Sequence, residues 1–479
     1  MSFVDLQAIL PLLVTAYGGA VLMTLVAFAP GRRFAFGGAL AVLIAAFGSI
    51  FGAFPASPRQ ATPLLIIDPY SLYFAGLVLI ASILVTLLCH RYLQPREKTS
   101  GALFALIVFA TVGMITIAAS AHFVSFFLGL ETLSISLYGL IGYTRRRKQS
   151  LEAAAKYLVL AATASAFLLF GIALIYLDTG TMDFLRLGPL LASGERSMSA
   201  YLGLVMVLVA IGFKLAFVPF HMWSPDVYQG APAPVTALIA TGSKGAVLAL
   251  LLRLVYTTST APKPWLFAVL AVLSIATMSV GNLLALLQTN VKRLLAYSSI
   301  AHLGYLIIPL IAGPPIGPLS IAFYLASYFA TNIAAFGVVS VLSAPMEVGE
   351  VEEIGEYRGL SRRNPLLAAT MALALLSLTG IPLTSGFFAK LYILSSAAQR
   401  GLWALLVIAV INSGISAFYY LRVLIAMYTR ADGDQTPFPK PGAAAALALG
   451  FSVAVIVFFG VYPTPLLKLA EAATRIIAP

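Results

Sequence analysis

Residues 200–225 read AYLGLVMVLVAIGFKLAFVPFHMWSP. The stretch up to Phe213 carries no charge, and with the apolar residues that follow it has the length of a bilayer-crossing helix, which takes about 20 residues. Lys214 sits deep in this run, and Pro219 and Pro225 interrupt it. A proline inside a helix removes a backbone donor and clashes with the preceding turn. In lipid the carbonyls so freed must find partners inside the protein. An ammonium and a broken backbone within one span therefore predict a helix that lines a polar interior rather than a plain anchor.

The rest of the chain has the same character. Of 479 residues, 61% are hydrophobic and 10% charged, against about a quarter charged in soluble domains. That excludes a water-soluble enzyme and a disordered chain. The net charge of +12 comes mainly from short loops between apolar runs, so it is read as membrane orientation rather than as nucleic-acid binding. Cys89 is the single cysteine. With no C-x-x-C pair, haem-attachment or iron–sulfur spacing, the chain is expected to hold no thiol-bound redox centre. Its first apolar run, 7–29, lacks a basic leader and is read as a retained helix.

Taking about 20 apolar residues per crossing, the sequence predicts an all-α integral membrane protein of about fourteen helices. They fall near 7–29, 34–54, 69–90, 100–120, 122–143, 151–177, 200–222, 234–257, 264–288, 293–312, 318–343, 365–398, 402–428 and 441–463. A β-barrel, with its weak ten-residue alternation, does not fit such coverage. Odd-numbered loops hold sixteen Lys and Arg, even-numbered loops and the C-terminal end seven. Odd loops are therefore expected in the cytoplasm and both termini outside. The loop after the eleventh helix, with Glu347, Glu350, Glu352, Glu353 and Glu356, is read as a solvated cytoplasmic segment, with docking of a partner as the alternative.

A second interruption, Thr379-Gly380-Ile381-Pro382-Leu383-Thr384-Ser385-Gly386, lies in the twelfth helix. Broken helices in corresponding places of two halves point to an inverted repeat. Helices 4–8 and 9–13 would be those halves, giving segments 1–99, 100–257, 258–430 and 431–479 within one polytopic domain. Lys214 precedes its break and Lys390 follows its own. In helices of opposite polarity both lysines would then lie on the same membrane side of their breaks.

Glu131, Lys214, Lys244 and Lys390 are several turns from any helix end. A charge at mid-bilayer costs roughly 2.5–3.5 kcal/mol, so four cost on the order of 10 kcal/mol if unpaired. Such groups are expected to face a shared polar interior. Lys156, one turn inside its helix, can snorkel, and Arg253 and Arg422, near helix ends, are given that bland reading. Burial disfavours an ammonium and a nearby carboxylate favours it, so a Glu beside buried lysines makes a proton switch that needs no cofactor. A substrate pocket would call for aromatics and varied hydrogen-bonding groups instead. His221 and His302 lie deep enough to relay protons, and a core role for each is equally compatible with the sequence; His90 and His122 stand at helix ends. Polar residues in the ninth and eleventh helices (Asn282, Tyr328, Thr331, Asn332) are read first as helix–helix hydrogen bonds, and as the alternative they hold water along a proton path. No metal or Walker A spacing is present.

Three motifs carry a resemblance to a known family. Lys214-Leu215-Ala216-Phe217-Val218-Pro219-Phe220-His221-Met222-Trp223-Ser224-Pro225-Asp226-Val227-Tyr228-Gln229-Gly230-Ala231-Pro232 with Ser243-Lys244, Leu295-Ala296-Tyr297-Ser298-Ser299-Ile300-Ala301-His302, and Gly380-Ile381-Pro382-Leu383-Thr384-Ser385-Gly386-Phe387-Phe388-Ala389-Lys390 together resemble the proton-conducting antiporter-like membrane subunits of respiratory complex I, the bacterial NADH:quinone oxidoreductase. The Asp-Val-Tyr-Gln-Gly-Ala-Pro wording is most like the N-type branch. By this resemblance Lys390 would separate it from the M-type, which carries glutamate there, and with sixteen residues after the last expected helix the lateral helix of the L-type is not expected.

The resemblance implies a membrane-arm subunit of the bacterial inner membrane that moves protons while partner subunits oxidise NADH and reduce quinone. Glu131 would pair with Lys214, Lys244 would connect toward the centre, and Lys390 would end the second half-channel. Lys156 would be a further lysine of the sixth helix and His302 a link between halves. NADH, FMN, iron–sulfur clusters and quinone would sit on partners, with no cofactor or metal on this chain. Its neighbours would be the M-type subunit and the small membrane subunits, in a lipid bilayer and without nucleic acid. A homologous subunit of a multisubunit Na+/H+ antiporter or membrane-bound hydrogenase shares the same Glu/Lys chemistry and is the alternative.

Overall fold

The computed structural model describes residues 2–28, 31–97, 101–192, 197–258, 264–430 and 439–475. Lys98, Arg196 and Lys263, which enter the orientation count, lie outside the described residues. The chain runs α1 (Phe3–Ala8), α2 (Leu10–Phe28), α3 (Arg32–Ala53), the hairpin β1 (Arg59–Thr62) and β2 (Leu65–Ile67), α4 (Pro69–Tyr92), α5 (Gly101–Ala118), α6 (Phe123–Ile141), α7 (Lys148–Thr179), α8 (Phe184–Ala192) and α9 (Met198–Leu215). It continues through α10 (Trp223–Gly230), α11 (Ala233–Leu238), a π-helical segment Ile239–Ser243, α12 (Lys244–Thr258), α13 (Pro264–Leu286), α14 (Val291–Ala312) and α15 (Ile316–Ser343). Then come α16 (Leu360–Arg363), α17 (Pro365–Thr379), α18 (Ser385–Gln399), α19 (Trp403–Tyr428), α20 (Ala443–Val461) and α21 (Thr464–Thr474).

Among the described residues thirteen helices are long and apolar enough to cross a membrane. The span expected over 365–398 is divided into α17 and α18, so the all-α membrane architecture matches the sequence reading. The small hairpin and the end helix α21 were not expected. They are too short and too polar to register in a hydropathy reading.

The spans are not equivalent. Ala233–Thr257, α14 and α15 are wholly enclosed by other helices, whereas only 22% of the window in Arg32–Ala56 and 28% of that in α7 is buried. The three enclosed spans form a core that lipid cannot reach, and a charge can sit there only against protein or water. Close backbone contact sets the shell around them. A Cβ on Gly171 of α7 would lie 2.8 Å from the Gly203 carbonyl oxygen of α9, so glycine alone permits this small-residue crossing.

Both expected breaks are present. α9 ends with Ala216 in the left-handed region (φ 58), which costs an L-residue roughly 1–2 kcal/mol. The chain then runs non-helically to Met222 before α10 begins. α17 ends on Gly380 (φ 88), a conformation glycine adopts freely, and α18 starts at Ser385. In each case a side chain from beyond the break donates to a main-chain carbonyl in the last turn before it. The Trp223 indole N–H donates to the Phe213 carbonyl (2.7 Å), and the Lys390 ammonium donates to the Thr379 carbonyl (2.8 Å).

Two sequence expectations fail at the rim. Arg253 does not snorkel: it is buried and makes a bidentate ion pair with Asp68 (2.8 and 2.9 Å). Asp68 also caps α4 through the Ser71 N–H. The acidic loop after α15 is not wholly solvated either, since Glu350 and Glu352 are buried against Arg147 and Lys292. In both cases the partner that keeps the charge out of solvent lies far away in sequence.

Candidate functional site

The lysines singled out from sequence occupy successive places in the interior. Lys214, in the last turn of α9, is 3% exposed. Its Nζ donates to the Ser134 hydroxyl of α6 (2.9 Å) and the Tyr157 hydroxyl of α7 (2.7 Å). Glu131 lies one turn before Ser134 on α6. It is half-buried, accepts a hydrogen bond from Ser165 of α7, and makes no direct ion pair with Lys214. Two hydroxyls therefore stand where a direct carboxylate–ammonium contact was expected.

Lys244 follows the π-helical segment and is 1% exposed. Its Nζ donates to the Ser299 hydroxyl of α14 (2.7 Å). Ser299 also accepts from the Tyr328 hydroxyl of α15 (2.8 Å) and lies 3.2 Å from the Tyr228 hydroxyl of α10. His302, three residues on from Ser299, packs against the Tyr328 ring. Its Nδ1 hydrogen-bonds the Tyr324 hydroxyl and its Nε2 lies 3.2 Å from the Tyr420 hydroxyl.

A small cavity then separates His302 from Lys390. Tyr324, Ser327, Tyr328, Thr331 and Ser377 line it with them, and its space of about 10 Å³ suits a single water. Besides the Thr379 carbonyl, Lys390 donates to the Ser413 hydroxyl of α19 (2.9 Å) and stands over the Tyr305 ring. A second pocket, of about 340 Å³, reaches the same ammonium. Lys244, Ser299 and Tyr328 are thus hydrogen-bonded in series within the enclosed spans, and the cavity brings Tyr328 and His302 to one space with Lys390 of α18.

The Lys214 and Lys244 clusters are not joined by a direct hydrogen bond among the described residues. Ser224 lies between them in sequence terms, next to Trp223, whose ring packs on Tyr157, and one turn before Tyr228. Its hydroxyl is buried without a hydrogen-bond partner. His221, in the break after α9, is also buried with both ring nitrogens unpartnered. Lys156 stands apart: it is exposed at the side of α7 and pairs with Glu152 and with Asp226 of α10 (both 2.8 Å). Asn282 makes the helix–helix bonds expected of it, to Asn412 and Tyr419 of α19.

Of the hydroxyl partners, Tyr328 and Thr331 stood out in the sequence as polar residues of a span, whereas Ser134, Tyr157 and Tyr324 did not. Tyr324, Tyr328 and Thr331 fall at i, i+4 and i+7 on one face of α15, the spacing that could have marked them. Ser134 and Tyr157 offered only their nearness to Glu131 and Lys156. No group of three or more His, Cys, Asp or Glu suited to a metal occurs among the described residues.

The family described as NADH:quinone oxidoreductase/Mrp antiporter, transmembrane, matches residues 120–416, which span α6 through the middle of α19. The chain belongs to this family. A relative from Ectopseudomonas mendocina, named NADH-quinone oxidoreductase subunit N, is 43% identical over 98% of this chain and 97% of its own length. A second of the same name, from Methylococcus capsulatus, is 43% identical over 97% of this chain and 94% of its own. Among solved structures, a chain of respiratory complex I from Thermus thermophilus with bound aureothin is 35% identical, covers 96% of this chain and 99% of its own, and superposes with a TM-score of 0.83.

Proposed function

We propose that this chain is an N-type, proton-translocating membrane-arm subunit of an NADH:quinone oxidoreductase, and that protons pass along Lys214, Lys244, His302 and Lys390. The observation that carries the path is the hydrogen-bonded run Lys244–Ser299–Tyr328 inside spans that lipid cannot reach, opening on a cavity that Tyr328 shares with His302 and with Lys390 of α18. Hydroxyls and imidazoles both donate and accept, so a proton taken by one ammonium can be handed along while the chain of bonds re-forms. Glu131, half-buried at the start of the row, supplies the negative charge whose approach or withdrawal biases Lys214. Water on the unpartnered Ser224 hydroxyl would close the gap between the two clusters, and His221 would serve the break beside it. Lys156, exposed and ion-paired, is given a lesser part at the α7 face.

The energy comes from elsewhere. NADH oxidation by FMN and iron–sulfur clusters, and quinone reduction, belong on partner subunits in this reading, and this chain carries no redox group. The name shared by the 43% identical relatives supports the assignment to that enzyme over a Na+/H+ antiporter or hydrogenase. The neighbours would be the M-type subunit and the small membrane subunits, in a bacterial inner membrane with both termini outside. The breaks at 216–222 and 380–384 support two inverted five-helix halves, 100–257 and 258–430, between the leading segment 1–99 and the closing segment 431–479.

The test is Lys244→Ala in the whole complex reconstituted into vesicles. Fewer protons moved per electron, in complex that assembles and still oxidises NADH, supports the path. Wild-type stoichiometry and rate in that variant rejects it.

A further inference from the structure

Glu350 is a wholly buried carboxylate that the proton row does not use. Its Oε1 accepts from the Tyr92 hydroxyl at the end of α4 and from the main-chain N–H of Ala233, the first residue of α11 (both 2.8 Å). Its Oε2 accepts from Arg147, the residue just before α7 (2.8 Å), and from Lys292 in the first turn of α14. Four elements thus converge on one side chain. Burial pushes the Glu350 carboxyl up, but Lys292 and Arg147 outweigh it and hold the group below its ordinary range. Glu350 is therefore charged at neutral pH.

Lys292 is buried just as fully, and its remaining protons go to the main-chain carbonyls of Gln229 (3.0 Å) and Ala231 (2.6 Å). Those residues bound the joint at which α10 ends and α11 begins. A helix end leaves carbonyls without partners and a helix start leaves N–H groups without them; Pro232, with no N–H of its own, cannot help. Lys292 takes the outgoing carbonyls and Glu350 the incoming N–H. The joint is gripped from both sides by one ion pair.

The residue before Gln229 is Tyr228, whose hydroxyl lies 3.2 Å from Ser299. Lys292 and Ser299 are seven residues apart on α14, two turns along one face. One face of α14 thus holds the last turn of α10 twice, by its carbonyls and by its tyrosine. Ser299 is also the hydroxyl to which Lys244 donates. Glu350 belongs to the loop that closes α15, the helix of Tyr324 and Tyr328, so this contact links both sides of the polar run. Glu352 extends the grip, pairing with Arg147 and accepting from Asn290 (2.8 Å).

We infer that Glu350 and Lys292, with Arg147, are positioning residues of the proton path: their ion pair holds the α10–α11 joint so that the Tyr228 hydroxyl stays on Ser299 and Ser299 stays turned toward Lys244. The inference rests on the proton-transfer reading above. A loosened joint lets Tyr228 leave Ser299, and the hydroxyl that receives the Lys244 proton loses its fixed orientation.

The experiment compares Glu350→Gln, Tyr228→Phe and the double variant in assembled, reconstituted complex, reading protons moved per electron and deuterium uptake over residues 229–235. Glu350→Gln is expected to raise uptake in that segment and lower the proton yield at least about two-fold, the range in which residues outside a site modulate it. The double variant should lose no more than the worse single one, because both act through one hydroxyl. Lys292→Met should reproduce the loss and Lys292→Arg restore most of the yield. Unchanged uptake, an unchanged yield, or losses that multiply in the double variant overturn the positioning role. If Glu350→Gln is not recovered as assembled complex, Glu350→Asp, which keeps the charge and shortens its reach, carries the same comparison. Lys244→Ala separates the two readings: a wild-type yield there rejects the path itself, whereas a loss there with a normal Glu350→Gln rejects only the latch.

Discussion

The Lys390 ammonium closes the end of the helix that its own segment continues: it donates to the carbonyl of Thr379, the last residue of α17, at 2.8 Å. One side chain is thus both a candidate proton carrier and the cap that satisfies a broken helix within the membrane. The two roles can be separated. Glutamine can donate to the Thr379 carbonyl but holds no transferable charge, while alanine does neither. Lys390→Gln should assemble like the wild type and lose most of its proton yield, and Lys390→Ala should lose the yield and also soften the break. Proton yield in vesicles together with deuterium uptake over 379–386 checks this; a normal yield for Lys390→Gln removes Lys390 from the path.

Lys214 depends on hydroxyls rather than on a carboxylate in direct contact. Tyr157→Phe keeps the ring, which packs against Trp223 and Tyr138, and deletes the acceptor 2.7 Å from the ammonium. The lost bond is worth about 1.5–3 kcal/mol where a charged group is involved, so proton yield should fall about ten-fold or more while assembly is retained. Ser134→Ala removes the other acceptor and should act in the same direction. Glu131→Gln, acting from further off, should shift the titration of the lysine ammonium band seen by isotope-edited infrared spectroscopy. An unmoved band would show that Glu131 does not govern Lys214.

What the sequence disclosed and what it hid divide along one physical line. Spans and breaks are local: an apolar run, a proline and a glycine announce themselves within a single window, and so did Lys214, Lys244 and Lys390 as charges that lipid does not tolerate. Contacts are not local. Arg253 looked free to reach the membrane surface because Asp68, its partner, lies 185 residues away. Glu350, Arg147 and Lys292 counted as loop charges because a count cannot see that three loops meet. Ser299 and Tyr328 were visible as polar residues, yet only the packing of α14 on α15 makes one hydroxyl the acceptor for both Lys244 and Tyr328.

The Asp68–Arg253 pair gives a stability prediction. Both side chains are almost wholly buried, and removing one partner of such a pair leaves a buried charge uncompensated, at a cost of about 3–5 kcal/mol. Arg253→Met is therefore expected to lower the thermal unfolding temperature of the complex-bound subunit markedly. Pairing it with Asp68→Asn, which keeps an N-cap for α4, should recover much of the loss. If the double variant is no more stable than Arg253→Met alone, the pair is not what holds the α4 start against α12.

At the start of the chain, the main-chain N–H of Ser2 and the guanidinium of Arg59 hold the Asp5 carboxyl well below its ordinary value, at about 2. They tie α1 to β1. A carboxyl with a lowered folded pKa adds stability that is complete above its ordinary pKa near 4 and fades as pH falls through the folded value. Amide protection over residues 3–8, corrected for the intrinsic rate, should therefore hold steady from pH 7 to about 4 and drop toward pH 2. Asp5→Asn should lower protection at neutral pH and abolish that acid-side decline. A decline of the same midpoint in Asp5→Asn would assign the transition to another group and leave Asp5 without a part in docking α1.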